Sequence, residues 1–195
     1  AGGLTPAKAE NAAGRLFGRR QACSPLSIDA SKGGCVIMYN REKAVAYAHR
    51  WAYGFNPAYG NFTDMGGDCT NFLSQCLHAG GLPMNYRPVT GWFYNSLSSR
   101  APAWTGVQPF FNFMTGLQGG RPYAAVVSLE EIEPGDVLQI SFDGGVRFSH
   151  GFFVVEVGSP RSEATVLGAT HTESSDYRPL SHWQGAVYRC LHILE

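Results

Sequence analysis

The hydrophobic pattern of this chain changes period once. Between residues 44 and 77 apolar side chains recur at three and four residues, the spacing of one helix face, whereas from residue 137 onward they fall in short dense runs separated by turn residues. Helices first and strands afterwards predict an α+β domain, with N-terminal helices packed on a C-terminal antiparallel β-sheet. Asn40 caps a helix carrying Ala44, Val45, Ala48, Trp51 and Ala52 on one face, which stops near Gly54. A second helix takes Asp68 as its N-cap, places Phe72, Leu73, Cys76 and Leu77 on one apolar face, and ends at Gly80-Gly81. Aromatic loops and a short helix near 107–117 follow. Glu133-Pro134-Gly135-Asp136 reads as a turn, 137–142 as a strand, Asp143-Gly144-Gly145 as a hairpin loop, and 152–157, 164–170 and 187–194 as further strands. Residues 1–38, rich in Ala, Gly and Ser and carrying Arg15, Arg19 and Arg20, read as an extension or linker, and 39–195 as one domain.

Composition narrows the function classes. The 195 residues hold 15 Lys+Arg against 15 Asp+Glu, so the basic field of a nucleic-acid binder is absent, and 44% hydrophobic content is that of a folded domain. No apolar run is long enough for a membrane span, and neither a phosphate loop nor a dinucleotide glycine motif is present. The five cysteines are an odd number. Pairing Cys23 with Cys35 and Cys76 with Cys190, in an oxidising compartment, leaves Cys69 free; without a bridge Cys76 reads as core.

Cys69 is the sharpest local feature. A thiol in the first turn of a helix meets free backbone N–H groups and the positive end of the helix dipole, both of which favour thiolate. Gly66-Gly67 just before it lets the main chain approach a substrate closely. Six histidines are available as a base, and those at strand ends rank first. His150 opens the run Phe152-Phe153-Val154-Val155, and His171 closes the next strand. If the two strands pair as a hairpin around 158–162, the histidines become neighbours, one as base and the other orienting it, with Asp176 as a rival orienting group. Zinc does not fit, since Cys69 and Cys76 are no CxxC pair and no histidine lies at short ligand spacing; the chemistry calls for no metal and no cofactor. Trp92, Tyr94 and Trp104 read as loop anchors and core or as the lining of a substrate cleft.

Several strings together carry a family resemblance: Tyr39-Asn40-Arg41-Glu42-Lys43-Ala44, Trp51-Ala52-Tyr53, Asn56-Pro57-Ala58-Tyr59, Gly66-Gly67-Asp68-Cys69-Thr70-Asn71-Phe72, Gly91-Trp92, Pro134-Gly135-Asp136, Phe148-Ser149-His150, and His171-Thr172 before Arg178-Pro179-Leu180. In this order, over about 39–193, the chain resembles the bacterial putative amidase domain family, which is itself similar to NlpC-type and CHAP papain-like peptidases. The resemblance implies a papain-like fold and a thiol amidase with Cys69 as nucleophile, His150 as base and His171 as third member. It offers Tyr59 as an oxyanion candidate. The glutamine that papain-like enzymes place shortly before the nucleophile is missing, so the oxyanion donor falls to backbone N–H groups, Tyr59 or Asp68.

The function so implied is hydrolysis of an amide through an acyl-thioester on Cys69. The implied partner is a peptide or peptidoglycan-like substrate, outside or on the surface of a bacterial cell. Acyl transfer to an amine and a catalytically silent binding module are the alternatives.

Overall fold

A computed structural model describes Gly2 and residues 38–194. Helix α1 (Arg41–Trp51) starts on Asn40, whose side-chain oxygen accepts the Lys43 N–H at 2.8 Å, and buries Ala44 and Ala48. Helix α2 (Cys69–Ala79) is buried from Cys69 through Leu77, polar residues included. Such a helix must bond its polar side chains internally. Gln75 accepts the Tyr47 hydroxyl, Ser74 accepts the Trp92 indole N–H, and Asn71 accepts the Trp104 indole N–H.

Trp92 and Trp104 are therefore core residues, 1% and 0% exposed, with ring centroids 4.9 Å apart. Of the two readings, core and substrate-cleft lining, the structure supports the core and corrects the cleft: both N–H groups are turned inward onto α2.

A small hairpin, β1 (Tyr94–Ser96) with β2 (Ser99–Arg100), precedes helices α3 (Pro102–Thr105) and α4 (Val107–Met114). The remaining strands are β3 (Ala124–Val127), β4 (Val137–Ser141), β5 (Phe148–Val157), β6 (Val166–Thr170), β7 (Ser175–Pro179) and β8 (Val187–Ile193). They form one antiparallel sheet in the order β3-β8-β4-β5-β6-β7. The β5–β6 hairpin is the one the sequence predicts. Strand β7 is not, because its residues Ser-Asp-Tyr-Arg-Pro carry no apolar run; an edge strand needs none.

Alternation along the strands divides the apolar residues between two faces. Val137, Phe153, Val155, Ala169, Leu191 and Ile193 pack with Phe72, Leu73, Cys76 and Leu77 of α2. Leu138, Ile140, Phe152, Val154, Val166 and Cys190 form a second core on the far face, closed by Ile132 and Leu180. This corrects the Cys76–Cys190 pairing: the two residues belong to cores on opposite sides of the sheet, and both are free thiols. Cys23 and Cys35, with Arg15, Arg19 and Arg20, lie outside the described residues.

The Pro-Gly-Asp turn has a structural task. Asp136 is fully buried, and its carboxylate accepts the Arg41 guanidinium at 2.6 Å, the Ile193 N–H at 2.9 Å and the Glu133 N–H at 2.9 Å, with His192 Nδ1 also at 2.9 Å. The first residue of α1, the entry to β4 and the end of β8 thus meet on one carboxylate. Among the described residues, no helix is long and apolar enough to cross a membrane.

Candidate thiol site

The approach to α2 is shaped by backbone conformations that exclude most side chains. Gly66 and Gly67 have φ of 103° and 107°. A Cβ on Gly67 would lie 3.3 Å from the Thr172 hydroxyl, so this loop rests against the β6–β7 turn. Thr172 itself has φ of 86°, an unfavourable conformation for a β-branched residue, and its hydroxyl accepts the Asp68 N–H at 3.4 Å.

Cys69 is the first residue of α2 and is 6% exposed. Its helix is seated on β5 at Gly151: a Cβ there would come within 2.6 Å of Leu73 and 3.8 Å of the Cys69 Cβ. Only glycine allows this approach. Burial pushes the Cys69 thiol up from its ordinary pKa, and Asp68 adds to the rise. The Thr70 hydroxyl and the backbone N–H groups of Gly151 and Thr70 act in the opposite direction by hydrogen bonding to sulfur. Burial and Asp68 thus oppose ionisation of the sulfur, while the donors around it favour the anion.

Asp68 takes the N-cap position without capping. Its backbone is helical (φ −105°, ψ −2°) and no side-chain cap bond forms. The carboxylate, fully buried, accepts the Phe62 N–H at 2.8 Å, the Asn71 side-chain amide at 3.0 Å and His171 Nδ1 at 2.5 Å. The expected use of Asp68 at an oxyanion is thereby corrected: a buried carboxylate would repel the developing negative charge, and its oxygens are already committed. No oxygen among the described residues accepts the N–H of Cys69, Thr70 or Asn71, the first three of the helix.

His171 is 1% exposed, stacked on Phe72 at 4.1 Å and met edge-on by Phe55 at 4.9 Å. Its Nε2 donates to the Trp51 carbonyl at 2.9 Å. It joins the end of α1, the start of α2 and the end of β6. His150 is 8% exposed, and its Nε2 meets the Thr170 hydroxyl at 3.1 Å while its Nδ1 makes no hydrogen bond among the described residues. Burial lowers its pKa to about 4, opposed by Glu173 and assisted by Arg178.

The structure brings Cys69, Asp68, Gly151 and His171 together, and it does not bring the His150 ring to the thiol. Along β5, His150 alternates in phase with Phe152 and Val154 on the far face, where its ring meets Trp183 at 5.2 Å; the residue turned toward α2 is Gly151. The two histidines occupy neighbouring strands, as the hairpin predicts. Phe153 pairs with Ala169, however, so the ladder brings Gly151 rather than His150 level with His171. Among the described residues they are linked through Thr170, whose hydroxyl lies 3.1 Å from His150 Nε2 and 3.0 Å from the His171 carbonyl oxygen.

Asp176, the rival orienting group, pairs with His49 Nδ1 at 2.8 Å. Nothing in the sequence spacing linked those two residues, which sit on α1 and β7. The Tyr59 ring stacks on Trp104 at 5.8 Å, and its hydroxyl has no hydrogen-bond partner among the described residues. Among the described residues no group of three or more His, Cys, Asp or Glu side chains is placed to hold a metal ion.

A family model described as a putative amidase domain matches residues 38–193. The chain is also similar to two proteins of Bacillus subtilis. One, named uncharacterized protein YhbB, is 41% identical over 124 residues, 63% of this chain and 39% of that protein. The other, uncharacterized protein YjcM, is 25% identical over 116 residues, 58% of this chain and 26% of that protein. The matched stretch thus spans well under half the length of either relative. No solved structure matches the chain.

Proposed function

The chain belongs to the putative amidase domain family, and we propose that it hydrolyses an amide bond through an acyl-thioester on Cys69, within a papain-like architecture. The observation that carries this reading is the place of the thiol: first residue of α2, against the β5 glycine, with N–H groups of the helix start beside it that no oxygen of the described residues accepts.

In this reading the Cys69 sulfur attacks the amide carbonyl carbon and its proton passes to His150 Nδ1, the unpaired nitrogen of a neutral ring. The N–H groups of Cys69 and Thr70 stabilise the tetrahedral oxyanion. The C–N bond breaks as the imidazolium returns the proton to the departing amine. Water, deprotonated by His150, then cleaves the thioester and the thiol is restored. Proton transfer in this reading requires the ring and the thiol to come together when substrate binds, since in the resting state each faces its own side of the sheet. A peptide or cell-wall peptide is the substrate class we assign, at the outside of a bacterial cell.

The separation of ring and thiol also favours a second reading, a catalytically silent shell that binds an amide ligand. Incubation with a peptide library and with digested cell wall, followed by mass spectrometry of Cys69, separates the two. An acyl adduct on Cys69, with released amine, supports the hydrolase, and added amine nucleophiles that divert the acyl group identify transfer instead. Amide turnover persisting in Cys69→Ala places the nucleophile elsewhere; neither adduct nor turnover with any amide leaves the silent shell.

A further inference from the structure

Aspartate is among the best residues for capping a helix, because its carboxylate accepts the N–H groups of the first turn. Asp68 stands at the cap of α2 and leaves them uncovered. Its carboxylate is held elsewhere by three donors, of which the Phe62 N–H and the Asn71 amide meet Oδ1, and His171 alone meets Oδ2. The second nitrogen of that ring is fixed by the Trp51 carbonyl, which can only accept, so Nε2 carries a proton. A further proton must then lie between Nδ1 and Oδ2, because two facing lone pairs at 2.5 Å would repel.

We propose that His171 is a positioning residue whose task is to hold the Asp68 carboxylate off the start of α2, keeping the Cys69 N–H, and the Thr70 N–H that faces the sulfur, clear for an oxyanion formed there. It acts through Asp68 and not by orienting His150, with which it shares no side-chain hydrogen bond. Without His171, Oδ2 loses its one donor and turns to the uncovered N–H groups of the helix start, a capping bond for which its chemistry is suited, and so brings negative charge to the oxyanion position. This role rests on the thiol hydrolase reading above.

Two reactions of the same sulfur test it. Alkylation by iodoacetamide displaces iodide and forms a C–S bond without any oxyanion. Acylation by p-nitrophenyl acetate passes through an oxyanion before p-nitrophenolate departs. The variant His171→Phe keeps the ring packing on Phe72 and loses both hydrogen bonds. Its alkylation falls only as far as the unpaired Asp68 carboxylate disfavours the thiolate, while its acylation is expected to fall further by on the order of 10²–10³-fold, the usual effect of losing an oxyanion donor. Adding Asp68→Ala to His171→Phe removes the intruding carboxylate and restores most of the acylation. His171→Gln keeps an N–H for Oδ2 and retains acylation within about tenfold, which carries the test alone if the phenylalanine variant does not fold.

Parallel loss of both rates in His171→Phe, or loss of both in His171→Gln, overturns the proposal, as either outcome makes the imidazole act on thiol ionisation. Unchanged acylation in His171→Phe overturns it as well. Failure of the underlying reading looks different: the parent protein's Cys69 is alkylated but accepts no acyl group.

Discussion

Two helices of this protein start on side chains of the same capping class and use them oppositely. At α1, Asn40 accepts the Lys43 N–H, its own N–H goes to the Gly80 carbonyl, and the next residue, Arg41, is bound to buried Asp136. The cap's own N–H and side chain are both tied down. At α2, Asp68 withholds its carboxylate, and the N–H groups of the first turn stay open beside a thiol. The difference lies in what the rest of the chain brings to each cap: a carbonyl and a carboxylate at α1, a histidine at α2. A closed helix start holds a fold together, while an open one keeps donors for something that is not part of the chain.

The comparison is broken most severely at α2. Cys69→Ala is expected to lower amide turnover by at least ~10³-fold, through loss of the proposed nucleophile, with an unchanged urea midpoint; equal losses of turnover and stability would make the open start a structural feature. At α1 the large effect is on stability. Asp136→Ala leaves the Arg41 charge and several N–H groups without their shared acceptor inside the protein, and should cost about 3–5 kcal/mol by chemical denaturation.

A third experiment concerns the imidazole that stands apart from both starts. His150 is held at about 4 in the folded chain against 6.5 unfolded. Below pH 6.5 the unfolded chain binds a proton that the folded one refuses, so this group lowers stability as pH falls from 6.5 and ceases to add to the loss below about 4. The full difference is roughly 3 kcal/mol. Urea midpoints across this range should fall more steeply in the parent than in His150→Phe; identical slopes would show the ring open to solvent and able to charge. The smallest effect is Asn40→Ala, about 1 kcal/mol in the same assay, with acylation of Cys69 unaltered.

Much of the frame was readable from residue types. Asn40 and the three-and-four spacing after it mark α1, Asp68-Cys69 before an apolar face marks α2, and the dense runs after Pro134-Gly135-Asp136 mark the central strands. Elements without a hydrophobic signature escaped: β7 is polar because it is an edge, and Trp92 and Trp104, whose composition suits a cleft as well as a core, are distinguished only by the partners of their N–H groups. The site divided in the same way. That His150 opens one strand and His171 closes its neighbour follows from hairpin order. That they point to opposite faces depends on register, since one residue of slip reverses every side chain.

Cysteine 69 at a helix start, a glycine pair before it and histidines at strand ends are properties of the chain read in order, because capping, turn conformation and strand termination are local. Which histidine meets which carboxylate is not local. Asp68 with His171, Asp176 with His49 and Asp136 with His192 are separated by 103, 127 and 56 residues, and packing alone decides them. The sequence by itself determined where a thiol would meet the open end of a helix; only the tertiary structure decided that the aspartate beside it would be turned away, because the imidazole that holds it arrives from the other end of the fold.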